Sequence, residues 1–233
     1  MRLLSSLPST SRRAFTLVEL LTVIAIIGIL AAILIPAVGA AKVAANRAKT
    51  KSEFSQWATA MTSFKQEYGY YPAIAYQNKV NGNSSKPGVE FANALAGKQT
   101  LKGDSYSGTN TSASVPNYGG NTKLIAFYTI GTTDTLEGSD GKTYLIDAFD
   151  NSDIAVRVDT NGDGKIDNND PARSDQSYIN DWPTVQANTP PSGNSLNVEN
   201  ADTNLAANGV RAGVVFYSPG KGTTDSDIIT TWQ

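Results

Sequence analysis

Hydrophobic positions near the N-terminus predict one long helix with two different halves. Residues 20–38 are almost all apolar, and about twenty such residues span the hydrocarbon core of a bilayer as a helix. Beyond residue 40, apolar side chains recur at spacings of three and four, which marks one face of an amphipathic helix: Phe54, Trp57, Met61, Phe64 and Tyr68. Gly69 and Pro72 end this pattern. We therefore expect a helix of about fifty residues, roughly 80 Å long at about 1.5 Å per residue.

The rest of the chain predicts a small β-rich body. Short runs of β-branched or aromatic residues, each bounded by turn residues, are strand candidates: 124–130, 143–146, 154–158 and 213–217. Residues 89–96 favour one short helix, with Phe91 and Leu95 on the same face. The stretch 171–209, rich in Asn and Pro, is typical of a long surface excursion. We predict an α+β fold in which an antiparallel sheet packs on the amphipathic half of the long helix.

Charge is distributed unevenly along the chain. Residues 1–51 hold seven Lys or Arg and one acid, whereas 52–233 hold twelve Lys or Arg and twenty acids. The basic part is typical of a membrane flank, and the acidic body argues against nucleic acid as a partner. The chain has no Cys and no His, which excludes disulfides, Ser-His-Asp relays and the usual zinc sites. No spacing indicates a pocket of convergent carboxylates, and we predict no enzymatic activity.

Glu19 lies at the start of the apolar run, where a charge is costly and calls for a partner. A removable secretory signal is one interpretation, because Arg12 and Arg13 precede the run and small residues near Ala40 would allow cleavage. A plain single-span anchor is the second. The run is longer than the usual signal core of about 7–15 residues, and a chain cut after it would begin in mid-helix. Neither interpretation gives Glu19 a purpose.

A third interpretation rests on residues 15–19, Phe-Thr-Leu-Val-Glu, which follow a basic leader and open a long apolar helix with Gly28 and Pro36. This arrangement closely resembles the N-terminus of type IV pilins and of the pseudopilins of type II secretion. The resemblance implies that a prepilin peptidase cuts between Ala14 and Phe15 and methylates the freed amino group. The family usually has Gly before the cut. Ala is the next smallest residue, so we expect cleavage here as well.

The cut supplies a physical purpose for Glu19. When subunits stack, the carboxylate of Glu19 on one subunit can meet the terminal amine of Phe15 on its neighbour. Two groups that are costly alone in apolar surroundings become a pair, and that pair fixes the stagger between helices. We therefore predict Ala14 and Phe15 as processing residues, and Phe15 and Glu19 as assembly residues. The alternative is that Glu19 reaches the membrane interface by itself.

The resemblance also implies a location and a set of partners. Basic residues on the two sides of the apolar run are about equal in number, so charge alone does not orient the span. The resemblance places the leader, 1–14, in the bacterial cytoplasm and the head, 73–233, in the periplasm, with one pass through the inner membrane. Between them lie a membrane and assembly half, 15–41, and an amphipathic half, 42–72. The implied partners are the prepilin peptidase, other pseudopilins and further copies in a filament.

The segment 159–170 predicts a calcium site. Oxygen-bearing side chains occupy positions 1, 3, 5, 9 and 12 of the twelve-residue calcium loop, and Gly164 occupies position 6, where the chain turns sharply. Lys165 at position 7 would offer its backbone carbonyl. The predicted ligands are Asp159, Asn161, Asp163, Lys165, Asp167 and Asp170. Asp170 replaces the usual Glu, and its shorter side chain favours weaker binding. The alternative is a solvated turn between two strands.

A second candidate site lies near the C-terminus. A strand, a Gly-rich loop, Asp225, Asp227 and Trp232 follow one another and resemble the end of the major pseudopilin, whose loop binds calcium in that family. Asp225 and Asp227 are the matching carboxylates. The chain has Lys221 and Gly222 where the family has Asp-Gly, so an acidic surface turn without metal is an equal alternative.

These features together predict a structural subunit of a pilin-like filament, of the major-pseudopilin type of type II secretion. Its work would be mechanical: it waits in the inner membrane and is then drawn into a short helical filament. Ca²⁺ is the predicted cofactor, and it would stabilise the head by binding only the folded state. One alternative is a minor pilin of a type IV pilus. The other is a membrane-anchored calcium-binding module, or a carboxylate-based hydrolase, with the same N-terminus.

Overall fold

The computed structural model describes six ranges of the chain: 15–72, 78–82, 89–97, 121–171, 181–188 and 195–232. Ala14 and the rest of the expected leader lie outside these ranges. The chain divides into two compact units, Met1–Ala44 and Ala45–Gln233.

The helices and strands are short except for the first helix. The helices are α1 Leu17–Tyr68, α2 Val89–Ala96, α3 Val198–Ala201 and α4 Leu205–Asn208. The strands are β1 Thr135–Glu137, β2 Thr143–Leu145, β3 Ala155–Val158, β4 Val185–Gln186, β5 Ser195–Leu196, β6 Val214–Ser218 and β7 Ile229–Thr230. Single 3₁₀ turns cover Thr132–Asp134 and Asp225–Asp227. The predicted α+β fold, a long N-terminal helix with small antiparallel sheets, is confirmed.

The predicted long helix is α1, and it continues through Pro36. It ends before Gly69, whose φ of +82° is a left-handed conformation that favours glycine. By length and composition, α1 is the one helix among the described residues that could cross a membrane. The predicted apolar stripe is also confirmed, because Phe54, Trp57 and Phe64 have no exposed surface. The 3.6-residue pattern therefore identified the face of α1 that packs on the head.

The head is built on an antiparallel sheet in the order β3–β6–β7. Val156 of β3 lies opposite Phe216 of β6, and Tyr217 of β6 lies opposite Thr230 of β7. The predicted strands 154–158 and 213–217 are confirmed to within one residue at each end. The predicted strand 143–146 is confirmed as β2, which pairs with β1 in a separate hairpin, and the predicted helix 89–96 is confirmed as α2.

Both faces of the central sheet are buried. Val156 and Phe216 point to one face, where they pack with residues of α1 and α2. Val215 and Tyr217, the alternate residues of β6, belong to a second core on the other face. The side chains that cover this second face come from the segment between β3 and β6: Ile166, Trp182, Val185, Leu196, Val198, Leu205 and Val210.

The second core corrects the prediction of a surface excursion at 171–209. In the described part of that stretch, Trp182, Val185 and Leu196 are buried, and β4 pairs with β5. The apolar run of β6 does not alternate with polar residues, which is the pattern of a strand covered on both faces. A layer on the far side of the sheet was therefore required. The Asn- and Pro-rich composition of 171–209 is typical of a surface loop, and for that reason it did not indicate this layer.

The predicted strand at 124–130 is wrong. Its backbone groups bond to Asn121 and to the end of α2 instead of to a neighbouring strand. The side chain of Asn121 contacts both the N–H and the C=O of Ile125. The N–H groups of Phe127 and Tyr128 donate to the carbonyl of Leu95 at the end of α2. Leu124 has a φ of +53°, which is incompatible with a strand. The β-branched and aromatic composition was outweighed by one buried Asn and the orphan carbonyl of a helix end.

Candidate functional site

Glu19 takes part in a local cap at the start of α1. Its Oε2 accepts hydrogen bonds from the Thr16 backbone N–H at 2.8 Å and from Thr16 Oγ1 at 2.7 Å. In return, the backbone N–H of Glu19 donates to Thr16 Oγ1 at 3.3 Å. This reciprocal pattern is a capping box, and its sequence signature is Thr followed three residues later by Glu. Glu19 therefore has a partner within its own chain, in addition to the partner on another subunit that the sequence interpretation gave it.

The first half of α1 exposes a long apolar surface. Within the Met1–Ala44 unit, Phe15 is 79% exposed, and every large apolar side chain between Leu17 and Val38 is at least 47% exposed. Such a surface far exceeds the apolar patches of soluble monomers and requires lipid or other helices as cover. Phe15 and Glu19 therefore lie at the start of the exposed apolar surface of this unit.

The segment 159–170 closes into a loop through its first and last carboxylates. Asp159 accepts hydrogen bonds from the backbone N–H groups of Gly162 and Gly164, at 2.5 and 3.0 Å. Asp170 accepts from the N–H of Thr160 at 3.0 Å and from the N–H of Asp167 at 2.9 Å. Gly164 has a φ of +83°, the left-handed turn expected at position 6.

The other predicted ligands form short local turns. Asn161 accepts from the N–H of Asp163 at 2.9 Å, Asp163 from that of Lys165 at 2.8 Å, and Asp167 from that of Asn169 at 2.8 Å. The Nζ of Lys165 lies 2.8 Å from Asp167, and this contact lowers the pKa of the Asp167 carboxyl. A cation of the chain itself therefore already binds one of the predicted calcium ligands.

Arg157 is a buried cation beside this loop that the sequence analysis missed. It belongs to β3, is 1% exposed, and donates from Nη2 to the carbonyl of Asp167 at 2.8 Å. Its guanidinium group also stacks over the Trp182 ring, 4.5 Å from the centroid. A charge in an otherwise apolar strand was the available signal, since a buried Arg requires acidic or carbonyl partners nearby.

The donor set of the loop suits calcium, but its side chains are not gathered around one point. Among the residues whose positions are described, no group of three or more Asp, Glu, His or Cys side chains is arranged to hold a metal ion. The carboxylates of Asp159 and Asp170 are turned to backbone N–H groups instead. Calcium binding would require them to reorient and Lys165 to leave Asp167. The calcium assignment stays a prediction.

The two C-terminal candidates, Asp225 and Asp227, have different partners. Asp225 accepts from the backbone N–H of Asn197 at 2.8 Å and from the side-chain amide of Asn200 at 3.0 Å. Asp227 accepts from the N–H groups of Thr223 and Thr224 at the start of the 3₁₀ turn, at 3.0 and 3.1 Å. Burial raises the pKa of Asp227, but a hydrogen bond from the Thr223 hydroxyl, these two backbone bonds and the charge of Lys221 outweigh it and lower that pKa overall. The structure does not bring the two carboxylates to a common ligand position.

Two further side chains tie this C-terminal loop to the head. The Nη2 of Arg47, in α1, donates to the carbonyl of Ser226 at 2.9 Å. The side-chain amide of Asn151 donates to the carbonyl of Gly220 at 2.7 Å, and the same residue contacts the buried carboxylate of Asp147. The loop is thus held by protein groups on both sides.

Residues 9–35 match the family described as the prokaryotic N-terminal methylation motif. The match extends across the predicted cut and includes Phe15, Glu19 and most of the exposed apolar half of α1. No curated protein and no solved structure matches the chain. The N-terminal segment is therefore of prepilin type, which supports the resemblance to type IV pilins and pseudopilins.

Proposed function

We propose that this chain is the structural subunit of a pilin-like filament, of the major-pseudopilin type of type II secretion. The observation that carries the proposal is the methylation motif at 9–35, which includes most of an apolar helix segment whose large side chains are exposed. A minor pilin of a type IV pilus is the second candidate, because the motif is shared by both classes. The proposed work is mechanical, and no enzymatic step is part of it.

The proposed assembly contact joins Phe15 of one subunit to Glu19 of its neighbour. After the cut between Ala14 and Phe15, the new amine would lie one helical turn from the carboxylate of its own chain. Thr16 satisfies that carboxylate while the subunit is alone. In a stack, the amine of a neighbour supplies the opposite charge that Thr16 lacks, so both partners of the new hydrogen bond are charged. The pair sets the stagger because only one offset brings the two groups together.

The proposed location follows from the same elements. The apolar half of α1 lies in the bacterial inner membrane, the leader is cytoplasmic, and the head is periplasmic until assembly draws the helix into a filament. The partners are the prepilin peptidase, other pseudopilins and further copies of this chain.

Peptidase-dependent assembly tests this function. The full chain is expressed in a bacterial membrane with and without a prepilin peptidase, and the intact membranes are treated with a chemical cross-linker. We expect a ladder of multimers only when the peptidase is present, because the amine of Phe15 is freed only then. An identical ladder in both membranes, or no ladder in either, would contradict the proposal.

We also propose that the loop 159–170 binds Ca²⁺ and stabilises the head. Six potential ligands stand in the order that the calcium loop requires, and the loop is already closed by its first and last carboxylates. A cation that binds only the folded state stabilises it by about 2.7 kcal/mol at a hundred times its Kd. For a protein of this size, such a gain raises the Tm by about 5–10 °C.

A thermal shift tests the calcium proposal. The full chain in detergent micelles should melt higher with Ca²⁺ than with a chelator, and Asp163→Asn should remove most of the difference. Asp140→Asn, in the exposed β1–β2 turn, is the matched control and should keep it. Loss of the shift in Asp225→Asn alone would move the site to the C-terminal loop. An unchanged Tm in the unmodified chain would eliminate both sites.

A further inference from the structure

Three charged side chains meet where α1 contacts the 3₁₀ turn before β1. The Nζ of Lys49 lies 3.2 Å from Glu53 Oε1, one turn later in α1, and 3.6 Å from Asp134 Oδ1 in the 3₁₀ turn. Glu53 is 6% exposed and Asp134 is 8% exposed, whereas the Lys49 side chain is half-exposed. Two buried carboxylates therefore share one cation, which leaves one negative charge in excess among these three groups.

The second carboxylate oxygen of Glu53, Oε2, is buried and has no hydrogen-bond partner in the described part of the chain. A buried carboxylate oxygen without a donor is costly when ionised and less so when protonated, because a carboxylic acid can donate. The neighbouring carboxylate of Asp134 is the available acceptor, and it is already held by the hydroxyl of Thr133 at 3.1 Å.

The electrostatic surroundings favour the protonated form. Burial raises the pKa of Glu53, the charge of Asp134 raises it further, and the opposing effect of Lys49 does not cancel them. Tyr128 is the other titratable group that faces the pair, and burial together with these two carboxylates raises its pKa, so its phenol stays neutral. The pKa of the Glu53 carboxyl therefore lies above its ordinary value.

We propose that Lys49, Glu53 and Asp134 form a proton-sensitive latch between α1 and the β1–β2 hairpin. With Glu53 protonated, its carboxyl donates to the Asp134 carboxylate and Lys49 balances the single charge. With both ionised, the two carboxylates repel each other across the contact. Asp134 also accepts the N–H of Ile146 through its backbone carbonyl at 3.0 Å, so displacement of Asp134 loosens the hairpin. A neutral contact next to the latch, from the N–H of Ala148 to Thr50 Oγ1, is unaffected by pH.

The sign of the pH dependence follows from the raised pKa of Glu53. A carboxyl whose pKa is higher in the folded state adds stability below its ordinary value, here 4.5, and loses it as the pH rises through the folded value. The latch is thus closed in mild acid and weakened toward neutral pH. Each unit by which the pKa is raised corresponds to about a tenfold change in the opening equilibrium.

Hydrogen exchange of the hairpin amides tests the latch directly. The full chain in detergent micelles and its Glu53→Gln variant are compared between pH 4.5 and pH 8, and protection is taken as a ratio at each pH. Near pH 4.5 we expect the unmodified chain and the variant to be equally protected. At pH 8 we expect the unmodified chain to exchange faster than the variant, by about tenfold for each unit by which the pKa of Glu53 is raised. Gln keeps the shape and the donor of a protonated Glu at every pH.

Two further variants make the result decisive. Asp134→Asn removes the repelling charge and should reduce the pH dependence even if Glu53→Gln folds poorly. Glu67→Gln, in the same helix, removes the partner of the exposed Lys123 and should leave the pH profile unchanged. The latch is overturned if neither Glu53→Gln nor Asp134→Asn reduces the pH dependence, or if Glu67→Gln reduces it equally.

Discussion

Replacing Trp57 with alanine should lower the free energy of unfolding of the head by about 3–5 kcal/mol, the range for a large aromatic residue removed from a packed core. Trp57 has no exposed surface. Its ring centroid lies 5.4 Å from that of Phe91 in α2 and 5.7 Å from that of Phe216 in β6. The Trp57 side chain thus connects the long helix with the short helix and the central sheet. Its removal leaves a cavity and weakens the packing among all three.

Denaturant unfolding of the full chain in detergent, followed by the circular dichroism of the head, measures this loss. Gln56→Ala is the matched control, because Gln56 precedes Trp57 in the same helix but is exposed. Its stability should stay within about 0.5 kcal/mol of the unmodified chain, as is usual at exposed positions. An equal, small effect of both variants would mean that α1 is not packed on the sheet through this residue.

Replacing Glu19 with valine should reduce cross-linked multimers by roughly a hundredfold or more, since the proposed charge pair with Phe15 of a neighbour would lose one partner in apolar surroundings. The substitution keeps α1 apolar and leaves the head unchanged. It does, however, also break the capping box with Thr16. A loss of assembly alone would therefore not distinguish a missing intersubunit partner from a frayed helix start.

Thr16→Val separates these two causes. It removes the hydroxyl of the cap but keeps the Glu19 carboxylate, so we expect multimers to persist at a reduced level. Thr22→Val, about one turn after Glu19, removes only a hydrogen bond from the Thr22 hydroxyl to the Glu19 carbonyl. This variant should assemble normally. Normal assembly of Glu19→Val would end the register hypothesis, and equal loss in Thr16→Val would assign the effect to the cap.

Much of α1 could be predicted because its signals are local. The apolar run, the stripe of aromatic residues and the stop at Gly69 each depend only on neighbours three or four residues away. The strand candidates in β3 and β6 succeeded for a similar reason, since each is a short run of mainly β-branched or aromatic residues bounded by turn residues. The same composition at 124–130 failed, because Asn121 and the end of α2 bind its backbone groups. Such contacts depend on the fold and are not visible in a short window.

The second core was missed because its parts are separated in sequence and lie among polar residues. Trp182 and Leu196 are isolated apolar residues among polar ones in the sequence. They belong to one core because the second face of β6 is buried as well as the first. The consecutive Val-Val-Phe-Tyr at 214–217 contained the signal, because alternation was absent there. A strand that is apolar on both faces needs a packed layer on each of them, so this run implied the second layer.

The candidate sites were predictable to different degrees. The N-terminal motif at 15–19 is contiguous, so its residue types and spacing can be recognised without the fold, and the matching segment 9–35 agrees with it. The segment 159–170 has the order of oxygen-bearing residues that predicts a calcium site, yet order does not determine where each carboxylate points. Asp225 shows this most clearly, because its partners come from Asn197 and Asn200 in a segment that the pattern did not include.

The N-terminus of the chain extracted from the membrane tests the central claim most directly. Intact-mass and fragment-ion spectrometry, after expression with a prepilin peptidase, should show a chain that begins at Phe15 and carries one added methyl group on its amine. Expression without the peptidase should leave the leader attached. A chain that keeps Met1 in the presence of active peptidase, or that is cut after the apolar run near Ala40, would contradict the assignment of this protein as a pilin-like subunit.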